Sequence, residues 1–102
     1  MMKTISVAKD FSPYPAGRFC TDGPYSGEAF RKKVLVPVLN AGEHTVVDLD
    51  GARGYGSSFL DEAFGGLVRM GFAKEKVLRL LSIKSEDQSL RDEIRDYIEQ
   101  VK

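Results

Sequence analysis

The chain has 102 residues, enough for one domain around one core and too few for separate cofactor and substrate domains. It is 42% hydrophobic and 29% charged, and 15 basic residues balance 15 acidic ones. Residues 1–51 hold six of each sign and the remainder nine of each, which excludes the basic surplus a general grip on nucleic-acid phosphates needs. A single Cys excludes an internal disulfide, and one Cys with one His argues against structural zinc. No apolar run approaches the roughly 18 residues of a membrane-spanning helix, and the Met-Met-Lys start lacks the apolar stretch of a signal peptide. The expectation is a cytoplasmic protein with no membrane, nucleic-acid or cofactor partner.

Residues 3–8 (KTISVA) alternate polar and apolar, with Ile5 and Val7 on one face, and predict a half-buried strand. Residues 10–27 are punctuated by Pro13, Pro15, Gly17, Gly23, Pro24 and Gly27. Within them residues 18–21 could pair back on the first strand, with 13–17 as the turn. From Ser26 a helical stripe follows, Phe30, Val34, Leu35, Val38 and Leu39, with Arg31, Lys32 and Lys33 as a small basic, solvated cluster. Pro37 inside the stripe should kink it or loosen its last turn, and residues 40–42 (Asn-Ala-Gly) should stop it.

Residues 44–50 (HTVVDLD) predict a second strand and 51–56 (GARGYG) a sharp turn. A second helix follows, with Phe59, Leu60, Ala63, Phe64, Leu67 and Val68 as its apolar face and Gly71 as its stop. Residues 77–84 (VLRLLSIK) read as a strand, and Ser85 with Gln88 as the capping box of a last helix carrying Leu90, Ile94, Tyr97, Ile98 and Val101. The alternation predicts an α/β domain over residues 1–102. Its sheet is small, mixed or mostly parallel, of about four strands covered by three helices, and residues 44–84 form its clearest βαβ unit.

Chemistry is sparse. The turn at Gly51, Gly54 and Gly56 joins the carboxyl end of a strand to a helix N-terminus, where loops of open α/β sheets commonly hold ligands and where anions are favoured. Ser58, three residues before Asp61, is expected to cap the helix; Ser57 then lies just outside it, an ordinary turn serine or a residue open to modification. The glycine spacing matches neither G-x-G-x-x-G nor a P-loop, and Asp61 and Glu62 in the first turn would compete with a polyanion. An anion site here would use Arg18 or Arg53 as counter-charge. His44 starts its strand, at the end away from Ser57, and is a poor base for it. Asp48 and Asp50 share a face but also suit an ordinary turn, and Cys20 near Arg18 reads as a free thiol. Catalysis is not expected.

The run VVDLDGARGYGSSFLDEAFGGLV resembles the central segment of STAS domains, the anti-sigma-factor-antagonist fold, over residues 44–70. With GRFCTDGPYSGEAFR near the start, the chain looks most like a group of small bacterial proteins described as a STAS-like domain of unknown function, over roughly residues 15–85. In the antagonists the first serine of a pair is phosphorylated by a partner kinase that is also the anti-sigma factor, and phosphorylation breaks their binding. The resemblance places the phosphoacceptor on Ser57, the second serine on Ser58 and the helix leucine on Leu60. Gly56 stands where those proteins carry Asp, and Phe59 where they carry Gly; Phe59 either packs under the preceding loop or anchors a partner. The implied protein is a non-catalytic regulatory module without cofactor or metal, whose partner is a histidine-kinase-type ATPase. It would be met through Tyr55, Phe59, Asp61, Glu62 and Asp22. The alternative is a module that binds a small ligand, nucleotide or phosphate at the glycine-rich turn.

Overall fold

Ile5, Val47 and Ile83 stand opposite one another on three short strands, β1 (Lys3–Ser6), β2 (Thr45–Asp48) and β3 (Leu81–Lys84). In this computed structural model, which describes residues 3–101, the three strands form one parallel sheet in the order β1-β2-β3. The period of two along each strand sorts its side chains. Ile5, Thr45, Val47 and Leu81 are buried on one face, while Thr4, Ser82 and Lys84 on the other are exposed. Sequential strand order explains the asymmetry, because crossovers of the same hand then place every connecting helix over the same face.

Three connecting helices and a C-terminal one supply that cover. Helix α1 (residues 27–41) starts at Ser26, whose hydroxyl accepts from the Ala29 N–H. It runs through a widened, π-type turn at Arg31–Leu35, where the Val36 N–H reaches the Arg31 carbonyl. The wide turn lies just ahead of Pro37 and accommodates a residue that has no N–H to donate. Gly42, at φ +70, ends the helix with its N–H on Val38 and Leu39, as the Asn-Ala-Gly stop predicts. Helix α2 (residues 57–69) has the same construction, with a wide turn at Asp61–Gly65. Helices α3 (Lys74–Leu80) and α4 (Gln88–Glu99) complete the layer.

The core between sheet and helices holds the stripes read from the sequence: Phe30, Leu35, Val38 and Leu39 of α1, Phe59, Leu60, Phe64 and Leu67 of α2, and Ile94 and Ile98 of α4. Each such side chain contributes about 1.5–3 kcal/mol by leaving water. Its aromatic centre is Phe11, Phe30, Phe59 and Phe64, with ring centroids 5.1–6.4 Å apart.

Three local expectations are corrected. Residues 18–21 form no strand. The Asp22 carboxylate takes the N–H groups of Arg18 and Phe19, and Glu28 takes that of Cys20, which folds the segment into a tight 3₁₀ turn at Cys20–Asp22. Residues 77–80 are helical: Val77 and Leu80 are buried three apart on α3, and the strand begins only at Leu81, so the sheet has three strands and the layer four helices among the described residues. The last helix is capped by Asp87, whose carboxylate accepts from Ser89, and Ser85 instead takes the Asp87 N–H in the turn before it.

Candidate functional site

The loop from β2 to α2 is held at both ends. The Leu49 N–H continues the ladder onto the Lys84 carbonyl, and the Asp48 carboxylate accepts from the Asp50 N–H two residues on. Asp50 in turn accepts from the Glu86 N–H, tying this loop to the one after β3. Gly51, at φ +94, makes a bend that an L side chain would strain. Tyr55 folds back to donate its hydroxyl to the Leu49 carbonyl at 2.7 Å, and burial together with Asp48 and Asp50 pushes its ionisation well up. The Arg53 N–H donates to the Pro13 carbonyl, and its guanidinium sits 5.5 Å from the centre of the Tyr14 ring.

Helix α2 begins two residues earlier than the sequence suggests. Gly56 is its N-cap residue and contributes no side chain, so Ser58 is not the cap. Ser57 and Ser58 both lie in the first turn, and both are exposed. The Tyr97 phenol on α4 donates to Glu93 at 2.6 Å, and the Ser57 hydroxyl lies close enough to act weakly on its ionisation. The Glu93 hydrogen bond raises the Tyr97 ionisation to about 12, and the Ser57 hydroxyl pulls it the other way.

Asp61 and Glu62 are spoken for. Arg18 Nη1 lies 2.8 Å from Asp61 and 3.3 Å from Glu62, Arg69 lies 3.2 Å from Asp61, and Arg31 lies 2.7 Å from Glu62. Burial works to raise the Asp61 carboxyl, but Arg18 and Arg69 hold it below its usual value. Three guanidiniums against two carboxylates leave the cluster one positive charge, so the first turn of α2 does not present the repulsive acidic pair that its sequence suggests. Arg18 is occupied inside the molecule and is not a free counter-charge for a ligand.

Phe59 is 1% exposed, its ring tilted against those of Phe30 and Tyr55 at 5.9 Å, so it packs under the preceding loop and does not present itself to a partner. Asp22 is spent on the 3₁₀ turn. Cys20 is free and exposed. His44 sits immediately before β2, where its carbonyl accepts from Lys3, and Ser57 follows the other end of that strand. Among the described residues no group of His, Cys, Asp and Glu could hold a metal ion.

What the sequence reading missed lies beside the serine corner. Tyr14, Phe19 and Tyr25 are 59%, 48% and 45% exposed, on the loop that precedes α1. Tyr25 packs edge-on against Phe11, and its carbonyl accepts from Ala16. The signal was present, since three large aromatics in a stretch rich in Pro and Gly, with no helical or strand period, have no buried face to fill.

A parallel βαβαβ sheet with a serine-bearing corner between the second strand and the following helix defines a small α/β domain of STAS type. The chain belongs to the family described as STAS-like domain of unknown function (DUF4325), which matches residues 26–99. The match includes α4, which lies beyond the segment carrying the resemblance in sequence. No curated protein and no solved structure matches the chain. Among the described residues no helix is long and apolar enough to cross a membrane.

Proposed function

We propose that the chain is a non-catalytic regulatory module that works by binding another protein, and that phosphorylation of Ser57 switches it. The observation that carries this reading is the exposure of Ser57 and Ser58 together at the start of a helix, beside a surface of Tyr14, Tyr25 and Arg53. Tyrosine and arginine are the residue types that dominate binding energy at protein interfaces. A phosphate on Ser57 would add about −1.5 to −2 charges. It would remove the hydroxyl from Tyr97 and set negative charge against Glu93. The arginines of the neighbouring turn would keep that charge compatible with the folded state. The partner proposed is a histidine-kinase-type ATPase of the anti-sigma-factor sort, by resemblance.

The test is phosphate incorporation with the cognate ATPase and ATP, together with partner binding. Wild type should be labelled on Ser57, Ser57→Ala should not be, and the labelled protein should lose the partner. Equal labelling of wild type and Ser57→Ala would refute the phosphoacceptor. Undiminished partner binding by Tyr14→Ala, Tyr25→Ala and Arg53→Ala together would refute the surface.

A further inference from the structure

The two outer edges of the sheet are finished differently. In a parallel pair, alternate residues of a strand direct both backbone groups to the same neighbour. On β1, Lys3 donates to His44, so Ser6 turns outward, and its N–H is taken by the Asp10 carboxylate at 2.7 Å. On β3, the Lys84 carbonyl accepts from Leu49, so Ser82 and Lys84 face β2 while Leu81 and Ile83 turn outward. The Leu81 N–H is used by the Val77 carbonyl. The N–H and carbonyl of Ile83 and the carbonyl of Leu81 therefore face away from the sheet. Edge strands are usually blunted against further pairing; here β1 is blunted by Asp10, and β3 has no corresponding side chain among the described residues.

Beside that edge runs a groove of about 390 Å³ between β3 and α4, floored by Leu78, Leu81, Ile83 and Ile94 and rimmed by Arg91 and Arg95. Arg95 is engaged by Glu99, whereas Arg91 makes no ion pair among the described residues. A strand laid along β3 would direct every second side chain into this groove, because successive side chains alternate between the faces of a sheet. Two arginines against one aspartate, Asp92, line the groove. With Arg95 held by Glu99, Arg91 is, among the described residues, the cation left without a partner at the groove, and a strand bearing a carboxylate would pair with it.

We propose that the β3 edge and the β3–α4 groove receive an extended segment of a partner protein, added as a fourth strand, with alternating apolar side chains and an acidic residue that meets Arg91. Backbone hydrogen bonds to Ile83 supply affinity, and the groove and the arginine supply selectivity. This surface is formed by β3 and α4, and its occupation does not depend on Ser57.

The test is selection of a random phage-displayed peptide library on the full chain, followed by binding measurements on the synthesised winners. The expected winners alternate apolar and polar residues and carry Asp or Glu. Their binding falls about tenfold or more with Arg91→Glu, an exposed position whose change leaves the thermal midpoint unaltered. A backbone N-methyl group on the paired side of the peptide abolishes binding, and hydrogen exchange at the Ile83 amide slows when the unmodified peptide is added. The proposal is overturned if no such pattern is enriched, or if the winners bind Arg91→Glu equally. It is likewise overturned if the Ile83 amide is already protected in the free chain through self-association.

Discussion

Arg31 crosses α2 directly over Gly66, its guanidinium occupying the space where a β-carbon on that residue would stand. Arg31 is 7% exposed and its side chain is held there by the carbonyl and carboxylate of Glu62. Gly66→Ala should therefore evict a buried, paired arginine and cost about 2–4 kcal/mol in denaturant unfolding. Gly56→Ala is the contrasting case: its φ of −73 is ordinary and no atom lies within 4 Å of the added carbon. That variant should meet no clash and should cost no more than about 1 kcal/mol, because alanine is a poorer N-cap residue than glycine.

Gly27 tests the contact between α1 and α2. An added β-carbon there would strike the Phe59 carbonyl, a backbone atom that cannot rotate aside. Gly27→Ala should lower stability by about 1–3 kcal/mol, read as a drop in the thermal midpoint. A variant as stable as wild type would show that the two helices are not held at this spacing.

Acid should act through Glu28 and Asp61. The Cys20 N–H and then Lys32 hold the Glu28 carboxyl at about 2, down from its usual 4.5. A group whose ionisation is depressed by folding contributes stability above its unfolded value and loses it as pH falls through the folded one. Stability should accordingly decline between pH 4.5 and about 2, and decline less steeply in Glu28→Gln. Denaturant midpoints measured across that range check this.

The link between Ser57 and Tyr97 has its own signature. Tyr97 is raised from 10.0 to about 12, so its contribution is complete below pH 10 and is lost as pH rises from there to about 12. Glu93→Gln should lower that titration, and Ser57→Ala should raise it, because the serine hydroxyl favours the phenolate. Ultraviolet titration, with Tyr97→Phe to assign the step among the four tyrosines, distinguishes the two directions. No change in Ser57→Ala would mean that the serine does not touch the phenol.

The helical stripes and the β2–turn–α2 corner were legible because their residues obey one local period and carry their own stop signals, Gly42 and Gly71. Leu81–Lys84 was only half legible, since the residues from Val77 to Ile83 are apolar often enough to fit either period. The switch from helix to strand is decided by pairing with β2. The cap of α2 was misplaced by two residues because a serine three positions before an acidic residue satisfies the capping pattern wherever the helix starts. The arginine cluster was not legible at all: Arg18 meets Asp61 across 43 residues, and nothing local to either announces the pairing. That unseen contact turns the apparent acidity of the candidate site into a slight positive balance.

The sequential order of the sheet also bears on how the chain reaches this state. Lys3 pairs with Thr45 and Thr45 with Leu81, so the two strand closures span 42 and 36 residues, and none spans the whole chain. Closure entropy grows with loop length, and polypeptides are made from the amino terminus. The first βαβ half can thus search for its arrangement before the ribosome has released the second, and β2, common to both halves, becomes the template on which the later one docks.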